Sequence, residues 1–256
     1  MYFFLGTLSC LETCYSSSIL PKMLASLLTG DRIITMGGCL AQYYFFGSCA
    51  ATETYLLAAM SYDRYLAICR PLHYPSIMSR KLCFQLITGA WVNGLLASGI
   101  LVFLITQLLF CGPNAIDHYF CDLTPLEKLS CSDTSHMDHV ILLLSFTEAP
   151  FPFVLILISY FSIINTIIKI KSSTGRKKAF SNCSSHLMVV CLFYGTLIIV
   201  YVLPDTPTLR HLNKFFSIFY TILTPLANPI IYTLRNKEVH KAFRRVYSKL
   251  TLFGRV

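Results

Sequence analysis

The segment 84–110, FQLITGAWVNGLLASGILVFLITQLLF, contains no Asp, Glu, Lys or Arg. A helix needs about 20 apolar residues to cross a hydrocarbon core that is about 30 Å thick. This segment is apolar all round, whereas a helix on the surface of a soluble protein keeps one polar face. The segment therefore predicts a helix that crosses a membrane.

Five further segments are free of charged residues or are interrupted by a single carboxylate. They are 33–52, 179–204, 215–234, 1–21 with Glu12, and 139–168 with Glu148. Only 13% of all residues are charged, about half of the fraction that is usual in soluble domains. Runs such as 154–158, VLILI, do not alternate as the strands of a membrane barrel do. The sequence therefore predicts an all-α transmembrane bundle.

The predicted helices can be given approximate bounds. They are 1–28, 35–69, 82–110, 139–170, 178–204 and 212–234. The segment 236–250 predicts a short amphipathic helix, because apolar residues share one face and basic residues fill much of the rest, as in helices that lie on an anionic leaflet. No internal repeat divides the chain, so 1–256 is predicted to be one transmembrane domain.

Basic residues are concentrated in alternate segments between the predicted helices. Sixteen of the 21 Lys and Arg residues lie in 64–81, 169–178 and 235–255, whereas seven of the 12 acidic residues lie in the intervening segments. Short loops rich in Lys and Arg stay on the cytoplasmic side. The pattern predicts a cytoplasmic C-terminus and an acidic outer face. It also accounts for the net charge of +9 without nucleic-acid binding.

Four of the 11 cysteines lie in or beside the predicted outer segments. They are Cys39, Cys111, Cys121 and Cys131. The outer side of a membrane is oxidising, which favours disulfides. Zinc motifs usually contain closely spaced pairs, which the ten-residue steps between the last three cysteines lack. Disulfides are therefore favoured over a metal site.

Three carboxylates lie within predicted helices, where an isolated charge is costly. Glu12 and Glu53 have no Lys or Arg within a span to pair with. They are expected either to share a proton or to bind a cation through hard oxygen ligands. Glu148, just before Pro150, leaves three alternatives: a place in a ligand cavity, a place beside the acidic pair, or a protonated packing residue.

Four motifs follow one another along the chain. They are MYFFL at 1–5 with PKML at 21–24, MSYDRYLAICRPLHY at 60–74, KAFSNCSSHL at 178–187, and NPIIYTLRN at 228–236. Taken alone, Arg64 beside Asp63 in the second motif is typical of a charge that snorkels to the membrane interface. The order and length of the four motifs are far more specific than this one pair.

These motifs resemble the signatures of the olfactory receptor family of G-protein-coupled receptors, and the resemblance covers the whole chain. It implies the rhodopsin-like seven-helix architecture, with the second to the seventh helix present. Because MYFFL opens the chain inside an apolar segment, we expect the family's N-terminus and first helix to be missing before it. Two small departures are Asn182, where the family usually has Thr, and the stretch 224–228.

The resemblance implies a switch on the inner side of the membrane. In the family, the aspartate at the position of Asp63 restrains Arg64 at rest, and activation frees Arg64 to meet the G protein. Tyr160 and Tyr232 match the tyrosines that swing toward this arginine, although an interfacial anchor is the alternative for each. The switch residues implied are Asp63, Arg64, Tyr65, Tyr160, Asn228, Pro229 and Tyr232.

The resemblance also implies a ligand cavity between the helices, in their outer half. Its expected lining is Phe46, Gly47, Ala50, Glu148, Tyr194, Leu197, Ile198 and Tyr201. Contact with lipid or with another helix is the alternative for each residue. The mostly apolar set suits a small, largely uncharged organic odorant with one hydrogen-bonding group. Phe46 stands where amine receptors carry an aspartate, which disfavours an amine ligand.

Two pairings and one ion site follow from the same resemblance. Cys39 pairs with Cys121, and Cys111 pairs with Cys131. The positions that line the sodium pocket of the superfamily are Glu12, Glu53 and Asn228. Apart from this possible structural sodium ion, no cofactor is expected.

Together these features predict a plasma-membrane odorant receptor that signals through a stimulatory olfactory-type G protein to adenylate cyclase, and not an enzyme. Its expected partners are a small organic odorant, a heterotrimeric G protein and the lipid bilayer. One alternative is a truncated receptor product that does not signal. A six-span channel or transporter is the other, but the chain lacks the internal repeats of many transporters.

Overall fold

A computed structural model of the chain describes residues 2–132, 134–202, 207–223, 226 and 228. In chain order the helices are α1 (Tyr2–Thr29), α2 (Met36–Cys69), α3 (Tyr74–Ile77), α4 (Arg80–Thr106), α5 (Leu123–Glu127), α6 (Ser135–Glu148), α7 (Pro150–Lys169), α8 (Ser173–Leu197) and α9 (Pro207–Ile218). Short π-helical turns extend α8 and α9, over Ile198–Val202 and Phe219–Leu223. The described residues form no β-strand, so the predicted all-α class is confirmed.

Three helical segments are long and apolar enough to span a membrane, namely Arg80–Thr106, Met137–Lys169 and Cys183–Tyr201. In the second of them only 11% of the most apolar window is buried within the protein, which leaves the remaining surface for lipid. The helices α1 and α2 also exceed the length that a bilayer requires. Both carry buried polar residues, such as Glu12 and Glu53.

Several helix bounds differ from the sequence-based ones for local reasons. Helix α4 ends at Thr106 and not at 110, because the following backbone pairs with the outer loop through the Phe110–Ser130 bridge. Helix α8 begins five residues before 178, because the Ser172 side chain accepts a hydrogen bond from the Gly175 backbone N–H (3.2 Å) and caps the helix.

The predicted helix 139–170 is divided into α6 and α7 at Ala149. Pro150 and Pro152 follow this residue, and neither has a backbone N–H with which to continue the helical hydrogen bonds. The sixth predicted helix, 212–234, begins earlier, at Pro207. The predicted amphipathic helix 236–250, together with Pro229 and Tyr232, lies outside the described residues.

Helix α2 lies at the centre of the bundle. It packs against α1, α4, α7 and α8, and half of its 34 residues are buried. Its buried hydroxyls bond to the backbone of the same helix: Thr54 donates to the Ala51 carbonyl oxygen (2.7 Å) and Ser61 to that of Ala58 (2.7 Å). These bonds reduce the cost of placing polar side chains where water is excluded.

The closest approach of α2 to α4 occurs at Gly94. A Cβ atom at this position would lie 2.5 Å from the Ser48 carbonyl oxygen and 2.5 Å from Thr52 Oγ1. Thr52 Oγ1 lies 2.7 Å from the Ser48 carbonyl oxygen and 3.3 Å from that of Ala90, so the hydroxyl bridges the two helices. Small residues allow such close packing of helices in membranes.

We expect Gly94→Ala to force α2 and α4 apart, because the new methyl group meets backbone atoms that cannot move aside. Overpacking of this kind costs about 1–3 kcal/mol. The measurement is the thermal unfolding midpoint of the purified protein, with expression at the cell surface as a second readout.

Gly89→Ala is the matched control on the same helix, because no atom lies within 4 Å of a Cβ built there. Equal unfolding midpoints for the two variants would contradict the close approach at Gly94.

Candidate ligand cavity and inner switch

Two disulfides organise the outer loop between α4 and α6. One joins Cys39, at the outer end of α2, to Cys121, with 5.4 Å between the Cα atoms. The other joins Cys111 to Cys131, with 5.9 Å between the Cα atoms. These are the pairs that the resemblance implies. The Gln42 side chain also accepts a hydrogen bond from the Cys121 backbone N–H (3.0 Å), which holds the loop on α2 a second time.

Aromatic rings form the floor beneath this loop. The Phe46 ring centroid lies 4.9 Å from that of Tyr15 on α1 and 4.9 Å from that of Phe120 in the loop. Phe46 is 2% exposed, and Ala50, one turn further in, packs against the same buried cluster. The floor thus combines side chains from two helices and the loop.

Gly47 does not share this floor with Phe46. A Cβ atom on Gly47 would meet Ser98 Oγ of α4 at 2.9 Å, so the residue lies at a contact between helices. Adjacent residues are rotated by about 100° around a helix axis, because a turn contains 3.6 residues. Gly47, an expected cavity residue, therefore lies on a different side of α2 from Phe46.

Four predicted cavity residues lie on α8 or the turn that follows it, and they differ in burial. Tyr194 is buried, with its ring 4.6 Å from that of Phe153, and its hydroxyl has no hydrogen-bond partner among the described residues. Leu197 is partly buried against the same cluster. Ile198 is 47% exposed and Tyr201 43% exposed, so these two lie nearer the surface.

The Tyr201 hydroxyl donates a hydrogen bond to Oδ2 of Asp122 in the outer loop (2.9 Å). Asp122 is buried, and its Oδ1 accepts a second bond from the Leu123 backbone N–H at the start of α5 (2.8 Å). From the sequence, Asp122 was grouped only with the acidic residues of the predicted outer segments. It directly follows Cys121, which the disulfide holds on α2, and this position could have indicated that Asp122 is buried.

Glu148 lies between α6 and α4. Both of its carboxylate oxygens are 2.9 Å from Nδ2 of Asn93, a residue that sequence reasoning missed. Close by, the Tyr55 hydroxyl donates to the Thr147 carbonyl oxygen (2.9 Å). Of the three alternatives for Glu148, the geometry favours a hydrogen-bonded packing position at the point where α6 ends.

Glu12, Glu53 and Asn228 lie together in the interior, and all three are buried. Nδ2 of Asn228 donates to Oε1 of Glu53 (3.3 Å). Within the described part of the chain, no hydrogen bond reaches either carboxylate oxygen of Glu12 or Oδ1 of Asn228. These oxygens fit a shared proton or a sodium ion, since hard cations prefer oxygen ligands.

Near the C-terminal end of α2, the Asp63 carboxylate accepts hydrogen bonds from Arg64 and Tyr74. Arg64 donates through Nη2 and Nε to Oδ2 of Asp63, at 2.5 and 3.2 Å. The Tyr74 hydroxyl, from α3, donates to Oδ1 of the same carboxylate (2.8 Å). Burial, reinforced by Asp63, raises the pKa of Tyr74 to about 12, so the hydroxyl keeps its proton at neutral pH. Tyr65 lies beside this set and stacks on Tyr62.

The Tyr160 hydroxyl lies 2.6 Å from Nδ1 of His186, and the two rings are stacked. Both side chains are buried, one on α7 and the other on α8. Sequence reasoning treated His186 only as a residue of an inner-side motif and missed this contact. Tyr160 is therefore held by α8 in this structure.

Comparisons with known proteins agree with this architecture. The family model described as olfactory receptor matches residues 1–250. Human olfactory receptor 11A1 is 47% identical over 246 residues, which are 96% of this chain and 78% of that receptor. Human olfactory receptor 2G6 is 46% identical over 95% of this chain and 77% of its own length, and 2B2 is 44% identical over 98% and 71%. The chain therefore belongs to the olfactory receptor family, whose members are membrane-embedded G-protein-coupled receptors for odorants and not enzymes.

Proposed function

We propose that this chain acts in the plasma membrane as an odorant receptor that activates a stimulatory olfactory-type G protein, and through it adenylate cyclase. The distribution of charge supports a cytoplasmic C-terminus, since the basic segments alternate with acidic ones along the chain. Arg64 then faces the cytoplasm at the inner end of α2. There it is available to a heterotrimeric G protein once Asp63 releases it.

The proposed odorant site is the aromatic floor and the adjoining face of α8. Phe46, Ala50, Tyr194 and Leu197 provide an apolar surface, while Ile198 and Tyr201 lie toward the outside. The Tyr194 hydroxyl is the observation that supports this function best, because it is buried and has no described partner. An odorant with one hydrogen-bonding group can satisfy it, since an unmade buried hydrogen bond is costly.

The proposed mechanism is a shift between resting and active arrangements of the helices, without covalent chemistry. Tyr194 and His186 both lie on α8, separated by about 12 Å of helix at 1.5 Å per residue. A ligand that moves α8 at Tyr194 therefore also moves His186. Release of Tyr160 from His186 allows it to approach Arg64, and Asn228, Pro229 and Tyr232 are proposed to complete the switch.

The buried acidic pair is proposed to hold a sodium ion or a proton in the resting state. Two carboxylates cannot both stay charged in the interior without a compensating cation or proton. A ligand of this kind stabilises the resting arrangement only if it binds that arrangement more tightly than the active one. Asn228 connects the pair to the segment that contains Pro229 and Tyr232.

The function is tested by measuring cAMP in cells that express the chain and are exposed to a panel of odorants. We expect at least one small apolar odorant with a single polar group to raise cAMP. Arg64→Ala should abolish the rise while surface expression persists, because the proposed contact with the G protein is lost.

Arg70→Ala, in the exposed segment after α2, is the matched control and should respond normally. An odorant response that survives in Arg64→Ala would contradict the assigned role of Arg64.

We expect His186→Phe to raise basal cAMP, because it removes the hydrogen bond that holds Tyr160 at rest. Tyr160→Phe removes the same bond but also the hydroxyl that the active arrangement requires, so it should not raise basal cAMP and should weaken the odorant response. Equal basal cAMP in His186→Phe and Tyr160→Phe would contradict the proposed switch.

The acidic pair is tested by measuring basal cAMP while external sodium is replaced by choline, and separately while pH is varied. If basal cAMP from the unaltered chain changes when sodium is replaced, and Glu53→Gln removes this change, the ligand is sodium. If basal cAMP changes with pH instead, and Glu53→Gln removes that change, the ligand is a proton. Glu148→Gln is the control, because Glu148 is bonded to Asn93 and should leave the dependence intact. Basal cAMP from the unaltered chain that changes neither with external sodium nor with pH would contradict the proposal.

A further inference from the structure

Among the described residues, side-chain contacts join the outer-loop segment 117–122 to the turn that follows α8 and to α9. The Tyr201 hydroxyl donates to Asp122 (2.9 Å), and His118 Nε2 lies 3.2 Å from Ser217 Oγ. Lys214 forms an ion pair with Asp117. The first contact reaches the π-helical turn after α8, and the other two reach α9. One short segment thus touches both of the last helices that the structure describes.

The same segment is fixed to α2 at its other side. The disulfide to Cys39 and the hydrogen bond to Gln42 both hold Cys121, and the Phe120 ring packs on Phe46. Because α2 is the central helix, this segment, called the strap below, connects the middle of the bundle to α9 and to the turn after α8. A disulfide attaches the strap to α2, whereas the contacts described above with α9 and with the turn after α8 are noncovalent.

The three noncovalent contacts differ in strength. The Asp117 side chain is 77% exposed, and exposed ion pairs contribute little. Burial lowers the pKa of His118, although the nearby Asp122 opposes this shift, and the contact with Ser217 is one partly buried hydrogen bond.

Burial raises the pKa of Asp122, while His118 and the hydrogen bonds from Leu123 and Tyr201 oppose this rise. Asp122 is buried, and each of its carboxyl oxygens accepts a hydrogen bond, so loss of the bond from Tyr201 leaves a buried oxygen without this donor. The Asp122–Tyr201 bond is therefore the principal fastening.

We propose that Asp122 is a positioning residue for Tyr201, and that the strap 117–122 holds the outer end of α8 in the resting arrangement. Tyr201 and Tyr194 lie about 10 Å apart along the helix axis at 1.5 Å per residue. An odorant that displaces α8 at Tyr194 works against this fastening, which then sets the threshold for activation. The role of this bond in setting the threshold rests on the proposed receptor function. The fastening itself, which is the positioning of Tyr201 by Asp122, does not.

The fastening is tested by hydrogen–deuterium exchange of the purified receptor in nanodiscs, read for the backbone amides of 194–202. Tyr201→Phe and Asp122→Ala should each speed exchange there by about tenfold, as expected for the loss of one buried hydrogen bond to a carboxyl group. The double variant should exchange no faster than the faster single variant, because both changes remove the bond between these two side chains. Tyr119→Phe and Asp31→Ala are the matched controls and should leave exchange unchanged.

The threshold is tested with basal cAMP in the same variants. Tyr201→Phe should raise basal cAMP and lower the odorant concentration required for a half-maximal response. Asp122→Ala also removes the side-chain cap of α5 and can fail to fold, so Tyr201→Phe, which keeps this cap, decides the outcome.

Unchanged exchange in Tyr201→Phe, or additive effects in the double variant, would overturn the proposal. A parent chain that never signals, together with the expected exchange pattern, would overturn the receptor function and the threshold but leave the fastening standing.

Discussion

The packing of α2 against its neighbours is the constraint on which the other features depend. Its outer end is covalently joined to the loop through Cys39, its middle contains Glu53, and its inner end carries Asp63. In the hydrocarbon region no water is available to hydrogen-bond exposed polar groups. Thr54 and Ser61 bond to the backbone of α2 itself, whereas Gln42, Thr52 and Glu53 bond to neighbouring segments, and these latter contacts orient α2 in the bundle.

Helix α8 is the second element that connects the two faces of the membrane. Tyr201 in the turn after α8 bonds to the loop, Tyr194 packs on Phe153 of α7, and His186 bonds to Tyr160 of α7. A helix transmits displacement along its axis because each of its turns is hydrogen-bonded to the next. In the proposed mechanism, a shift of α8 at one of these three contacts also alters the other two, as coupling between separate sites requires.

The sequence predicted the features that depend on composition and local pattern. The charge-free segment 84–110 largely coincides with α4, and the motif order predicted the family. The resemblance implied some contacts between distant positions, such as Cys39 with Cys121. Others depend on the rotation of each helix about its axis and were not predicted. Asn93 with Glu148, and His186 with Tyr160, are contacts of this kind.

The central claim is that ligand binding near Tyr194 is coupled through the helices to a G protein at Arg64. Its most direct test is nucleotide exchange on a purified stimulatory G protein, mixed with this chain reconstituted in nanodiscs and an odorant that the chain binds. The account predicts that the odorant accelerates exchange and that the acceleration disappears when Arg64 is replaced by Ala. Odorant binding with no change in the exchange rate would contradict it.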